Sequence, residues 1–126
     1  MPVRAELTLR LPNSPGALCD VLQTLALEGV SVLAMSLESG GHLRLVVDHA
    51  ARAEGLLREQ HRSVTTTQVL VVPTPYDRHA LSTTLGLVAE AGVNIDYAYA
   101  ACPGKDGGVL VLAVADPLRV AAKAGL

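Results

Sequence analysis

Residues 3 to 11 alternate strictly, with Val3, Ala5, Leu7, Leu9 and Leu11 on one side and Arg4, Glu6, Thr8 and Arg10 on the other. A period of two is that of a half-buried strand with one wet face. The period then lengthens. Leu18, Val21, Leu22 and Leu25 recur at helical spacing. Asn13-Ser14-Pro15 reads as the start of that helix, with Ser14 as cap and Pro15 at the first helical position, and Gly29 as its stop. Val30 to Leu37 reads as a second strand, Ser39-Gly40-Gly41 as a tight turn and His42 to Val47 as a third strand. Asp48 is placed to cap a short helix ending near Gln60, weakened by Gly55 in its interior. Ser63 to Pro73, rich in Thr and Val, reads as one long strand.

Beyond it the same order returns. Asp77 to Ala91 reads as a helix, Val93 to Ala100 as a strand and Cys102 to Gly108 as a glycine-rich turn. Val109 to Ala115 is an uninterrupted apolar run, the pattern of a central strand. Asp116-Pro117 then opens a last helix, with Asp116 in the capping place that Asp48 holds earlier. The two halves repeat at an offset of 63 residues: Ala17-Leu18, Leu22, Gly29-Val30 and Val32 return as Ala80-Leu81, Leu85, Gly92-Val93 and Ile95. One repeat of this length indicates a duplicated small domain rather than a solenoid.

Each copy reads βαββα, and the long middle strand completes βαββαβ for the first. That is the ferredoxin-like arrangement, an antiparallel sheet with two helices on one face. The expected fold is therefore α+β, with two ferredoxin-like units in tandem, residues 1–66 and residues 67–126. The final strand of the second unit is missing from the sequence. Either the middle strand serves both copies, or a partner chain covers the open edge, and an uncovered edge favours a homodimer.

Composition narrows the function. Half of the 126 residues are apolar, yet there is no Trp, no Phe and only three Tyr, so Leu, Val and Ala must build the core. A net charge of -2, with no run of basic residues, gives no electrostatic footprint for nucleic acid or an anionic membrane. No apolar stretch approaches the roughly 20 residues of a membrane span, and Met1-Pro2-Val3-Arg4 starts no signal peptide. Cys19 and Cys102 lack any CxxC partner. Cys19 reads as a small hydrophobe packed on its helix and Cys102 as an accessible loop thiol, which suits a cytoplasmic protein without disulfides.

The motifs exclude more than they include. His42, His49, His61 and His79 lack metal-ligand spacing, and no GxSxG, HExxH or Cys-His arrangement appears. Gly104-Lys105-Asp106-Gly107-Gly108 lacks phosphate-loop spacing. No catalytic residue, metal or cofactor is expected, and the chain reads as a non-enzyme. RNA readers of this fold stack bases on sheet aromatics, which His42-Leu43-Arg44-Leu45 and Val109-Leu110-Val111-Leu112 do not supply. What remains is the first loop. Asn13-Ser14-Pro15-Gly16-Ala17-Leu18 presents backbone N–H groups at a helix N-terminus, a geometry that attracts a carboxylate. Gly16 allows close approach, and Asn13 offers both a donor and an acceptor. A plain capped turn accounts for the same residues.

This loop, followed by Leu22 and by Gly29-Val30-Ser31-Val32, resembles the ACT domain, and the likeness extends over nearly the whole chain, twice. ACT domains are βαββαβ modules that pair edge to edge and bind amino acids or related metabolites at the seam. Gly40-Gly41 follow Glu38-Ser39 where phenylalanine-binding members carry Arg-Pro, so phenylalanine is not implied. In amino-acid-binding members one domain supplies the Asn-x-Pro-Gly loop, and the other an Asn just after Gly-Val. This chain has the loop in copy one and the Asn in copy two, at Gly92-Val93-Asn94-Ile95-Asp96; copy one has Ser31 there.

The resemblance thus implies one composite site formed by Asn13, Ser14, Pro15, Gly16, Ala17, Leu18, Asn94, Ile95 and Asp96. The amides of Gly16, Ala17 and Leu18 would hold a carboxylate, and Asn13, Asn94 and Asp96 an ammonium. The reverse seam, with Tyr76-Asp77-Arg78-His79 opposite Ser31, would be degenerate or altered. The implied function is a non-catalytic sensor of a small amino acid or related metabolite that passes its state to a regulated enzyme. The alternative is a structural or oligomerisation module of the same fold without a ligand.

Overall fold

A computed structural model describes residues 2–101 and 105–126. The fold is α+β, in the order β1 (Val3–Arg10), α1 (Ala17–Leu27), β2 (Val32–Glu38), β3 (His42–Val47), α2 (Ala50–Glu59), β4 (Thr65–Thr74), α3 (Ala80–Glu90), β5 (Tyr97–Ala101), β6 (Gly108–Ala113) and α4 (Pro117–Ala124). The contacts divide the chain into two compact bodies. One is Ala5–Thr67; the other joins Met1–Arg4 to Gln68–Leu126.

In the first body the strands run β2-β3-β1. The pairing is antiparallel, with Leu45 opposite both Leu7 and Met35, and Leu43 opposite both Leu9 and Leu37. This register gathers Leu7, Leu9, Leu43 and Leu45 on one face. Val21 and Leu25 of α1 and Ala53 and Leu57 of α2 pack onto them, all buried. Each buried Leu contributes about 1.5–3 kcal/mol, so a core without aromatics is held by many equal pieces. Gly29 ends α1 as expected. It takes a φ of +77°, Val30 N–H donates to the Leu25 carbonyl, and Gly29 N–H donates to that of Ala26. Arg52 of α2 ties the same helix end, its Nη2 lying 2.9 Å from Glu28 Oε2 and its Nε donating to the Glu28 carbonyl.

The second face of β1 is not the wet face that alternation suggests. Glu6 is fully buried and Thr8 half-buried, with buried Val46 on the same face of β3; only Arg4 and Arg10, near the strand ends, are exposed. Alternation separates two faces but does not establish that the polar one meets water.

In the second body the strands run β4-β6-β5, antiparallel, with Leu70 opposite Leu112, Val72 opposite Leu110 and Ala98 opposite Leu112. Leu70, Val72, Leu110 and Leu112 carry a core completed by Val88 of α3 and Val120 and Ala121 of α4. The edge that the sequence leaves without a strand is met by the chain itself. Val71 N–H donates to the Pro2 carbonyl at 2.6 Å, and Val3 packs against this core.

The helix starts differ from their sequence signals. Ser14 does not cap α1, and Pro15 is not its first residue. Gly16 is the N-cap at φ +82°, with no side-chain cap bond. Ser14 instead belongs to the turn before the helix, its N–H donating to the Pro12 carbonyl. Likewise α3 starts at Ala80 rather than Asp77. Asp77 Oδ1 accepts the His79 N–H and its carbonyl accepts that of Ala80, so this segment is a side-chain-closed turn. Asp48 does not cap α2 either. His49 holds the cap position, and Asp48 Oδ1 accepts the Ser31 N–H at 2.9 Å, joining the start of β2 to the end of β3. Asp116 does stand at the N-cap of α4 with Pro117 in the first turn, but its side chain makes no cap bond.

Candidate functional site

The first loop is built so that amides are left over. Ser14 N–H is spent on the Pro12 carbonyl, Ala17 N–H on that of Ser14 at 3.3 Å and Asp20 N–H on that of Gly16 at 2.9 Å. The N–H groups of Gly16, Leu18 and Cys19 have no acceptor among the described residues. They lie at the N-terminus of α1, where the helix dipole favours negative charge. Gly16 has the left-handed φ that glycine adopts without strain, and nothing lies within 4 Å of where its Cβ would stand.

Opposite this loop is the β2–β3 turn. Gly40 and Gly41 both have positive φ, and a Cβ on Gly41 would collide with the Leu11 carbonyl oxygen. Leu11 N–H donates to the Gly41 carbonyl at 2.8 Å, clamping the turn to the end of β1. Glu38, the last residue of β2, is paired to Arg44 on the neighbouring strand, Nε to Oε1 3.0 Å. Loop and turn enclose a cavity of about 1080 Å³ whose walls include Leu11, Leu18, Leu22 and Leu37. An apolar wall with a few convergent polar groups is the ordinary character of a small-molecule site.

Asn13, Ser14, Gly16, Ala17 and Leu18 line this cavity; Pro15 lies in the same loop and is exposed. Of the Gly16, Ala17 and Leu18 amides expected to hold a carboxylate, that of Ala17 is engaged within the loop, so Gly16, Leu18 and Cys19 supply the open donors. Asn94, Ile95 and Asp96 belong to the other body and line neither of the two cavities described here. They precede β5, which starts at Tyr97 rather than Val93, and all three are exposed. Asp96 N–H donates to the Ala113 carbonyl, fixing the entry to β5. Cys19 is exposed on the cavity wall instead of packed in the core. It sits two positions from Val21 and Ala17, off the buried stripe. Cys102 lies outside the described residues.

Sequence reasoning passed over the turn, Leu37 to Gly41, as a contributor to the cavity, and passed over its counterpart in the second body. There a cavity of about 520 Å³ lies between residues 74–81 and Gly107-Gly108. A Cβ on Gly107 would collide with the Thr74 carbonyl oxygen, as one on Gly41 would with that of Leu11. The signal was present: both glycines precede the returning strand of their hairpin, and the second hairpin is longer by three residues.

Among the described residues no group of three or more His, Cys, Asp or Glu could hold a metal ion, and no helix is long and apolar enough to cross a membrane.

The chain matches no protein-family model and no curated protein by sequence. Its structure is similar to that of a Bacteroides thetaiotaomicron protein, at 26% identity and a TM-score of 0.84, over 97% of this chain and 86% of that one. It is also similar to the ligand-free regulatory subunit of aspartate kinase from Thermus thermophilus, at 19% identity and a TM-score of 0.65, over 97% and 90% of the two chains. A third likeness is to E. coli aspartokinase III in complex with lysine and aspartate, at 20% identity and a TM-score of 0.59, over 97% of this chain and 31% of that one. With a βαββα order in each half and this likeness along nearly its full length, the fold of the chain is ACT-domain-like.

Proposed function

We propose that this chain is a non-catalytic regulatory protein that binds a small amino acid or related metabolite at an interface between two ACT-like units, arranged in tandem in the chain. The observation that carries the reading is the first cavity, where three unspent amides, one of them that of the positive-φ Gly16, stand at a helix N-terminus. Gly16, Leu18 and Cys19 N–H take the ligand carboxylate, and Asn13 takes its ammonium. Asn94, with Ile95 and Asp96, is contributed by the second kind of unit, and a homodimer is one way to bring both kinds together. The regulatory subunit of aspartate kinase has the same fold, and aspartokinase III has been seen with lysine and aspartate; both support an amino-acid ligand and a regulated enzyme as partner. Binding signals by its differential affinity for open and closed arrangements of the seam. The same reading takes the chain to be a non-enzyme that works in the cytoplasm.

A thermal-shift screen of the twenty amino acids at millimolar concentration tests the reading. At a hundred times Kd a true ligand adds about 2.7 kcal/mol to stability, a shift of several degrees. Asn13→Ala and Asn94→Ala should each abolish it. No shift with any amino acid favours the ligand-free oligomerisation module.

A further inference from the structure

The two copies differ where the first helix of each hands over to its second strand. In the first body three bonds tie this crossing. Val30 N–H donates to the Leu25 carbonyl at 2.9 Å, Ser31 N–H to Asp48 Oδ1 at 2.9 Å, and Asp48 N–H to the Ser31 carbonyl at 3.1 Å. Val32 then pairs with Val47 and packs onto the first core. In the second body the corresponding residues are Val93, Asn94 and Ile95, and Ala115 stands in the place of Asp48. The match follows from the strands: Leu45 faces Leu7 as Leu112 faces Leu70, and α2 and α4 begin at equal distances beyond Val47 and Val114. None of the three bonds is present there among the described residues. Ala115 has no carboxylate to offer, β5 starts only at Tyr97, and Ile95 is 37% exposed. The segment is bonded at its two ends, Gly92 N–H to the Ala89 carbonyl at 2.9 Å and Asp96 N–H to that of Ala113 at 2.8 Å.

The residue next to Ala115 differs as well. Asp116 precedes α4 at φ +54° and ψ +68°, whereas His49 precedes α2 at φ -127° and ψ +78°. The left-handed region is strained for an L residue, and a residue before proline, as Asp116 is, favours the extended one. Both residues give their carbonyl to the helix that follows, His49 to Ala53 N–H and Asp116 to Val120 N–H, so either conformation serves the helix. An extended Asp116 would relieve that strain and let Ile95 be buried, but Ala115 deprives the tied arrangement of one of its bonds. These opposing costs are of the same order. We propose that residues 93–95 are a strap with two positions, the released one described above and a closed one that copies the first body. In the closed position Val93 N–H donates to the Val88 carbonyl and Ala115 N–H to that of Asn94. Ile95 pairs with Val114 and packs onto the second core, and Asp116 turns extended. The released strap leaves the main-chain N–H and carbonyl of Asn94 without a partner among the described residues; the closed one withdraws the carbonyl. The strap thereby regulates how Asn94 is presented. That consequence rests on the amino-acid-sensing reading above, in which Asn94 meets the ligand, while the strap itself does not.

The test is amide NMR on the full chain without ligand, comparing Ala115→Asp, Ala115→Asn and Asp116→Gly. Ala115 and Asp116 are exposed, so the variants should fold. Ala115→Asp supplies the acceptor that Asp48 provides in the first body and should favour closure. Hydrogen exchange at Asn94 should then slow about tenfold or more, the effect of one hydrogen bond to a charged group. Ala115→Asn supplies an acceptor without the charge and should slow it in the same direction. Asp116→Gly removes the left-handed strain and should favour release, with exchange at Val93 and Asn94 no slower than in the unmodified chain. The amide shifts of Val93, Asn94 and Ile95 in the unmodified chain should lie between those of Ala115→Asp and Asp116→Gly, on one line. Unchanged exchange at Asn94 in Ala115→Asp overturns the proposal, as do shifts that lie off that line. Slowing by Asp without slowing by Asn is an effect of charge on exchange and overturns it too. Because no ligand is used, failure here leaves the amino-acid reading untouched, and a thermal-shift screen without a response leaves the strap standing.

Discussion

Gly41→Ala is expected to destabilise the first body by about 2–3 kcal/mol, in two separable parts. At φ +82° an L residue carries the left-handed penalty, about 1–2 kcal/mol. The new Cβ would also overlap the Leu11 carbonyl oxygen, so the turn must move away from the end of β1. That movement breaks the 2.8 Å bond from Leu11 N–H to the Gly41 carbonyl, a further loss of about 0.5–1.5 kcal/mol. Gly40→Ala isolates the first part. Its φ is +87°, but the nearest heavy atom to its Cβ is Arg10 Nη2 at 3.8 Å, the far end of a flexible side chain. Urea denaturation of both variants reads the difference as a larger fall in the midpoint for Gly41→Ala at unchanged slope. Equal destabilisation by the two substitutions would refute the reasoning, because the close approach to Leu11 would then have no energetic weight.

The same substitution should have the opposite sign elsewhere. Gly55 and Gly86 lie inside α2 and α3 with nothing within 4 Å of a Cβ, so Ala at each should raise stability by about 0.5–1 kcal/mol in the same assay. His61 holds the left-handed position after α2 at φ +62°, with Arg62 N–H reaching back to the Leu57 carbonyl. His61→Gly should therefore add about 0.5–1 kcal/mol despite removing a side chain, and a loss would contradict it. Asp48→Ala removes the acceptor of the Ser31 N–H, and should cost about 1 kcal/mol and speed hydrogen exchange at Ser31.

The strands and helices were legible in the sequence because each buried face repeats at its own period. Leu7, Leu9, Leu43 and Leu45 announce a sheet face, and Val21 and Leu25 a helix face, without reference to one another. Helix starts were less legible. Ser, Asp and Pro favour caps, but they also favour turns, and the choice depends on which carbonyl lies nearby. Asp48 finds the Ser31 amide, and Asp77 the amide of His79, so neither serves as the cap its position suggests. The loop half of the site was readable as a run of small and polar residues. The turn half was not, because Gly41 is defined by Leu11, thirty residues earlier in the chain, and Gly107 by the Thr74 carbonyl of a different strand. Burial of Glu6 was invisible for the same reason: what covers a face is decided by tertiary structure.

The bond between Val71 and Pro2 also bears on the order of assembly. The second body recruits residues made at the beginning of the chain, and a contact spanning so much sequence closes slowly. Residues 5–67 can complete their core from local pairings, whereas residues 68–126 need the start of β1 to be held in reserve until β4 has formed. A defect at one end of the polypeptide should then appear at the other. Deleting residues 2–4 should leave hydrogen-exchange protection at Leu7, Leu9 and Leu45 largely intact and weaken it at Val71, Leu110 and Leu112.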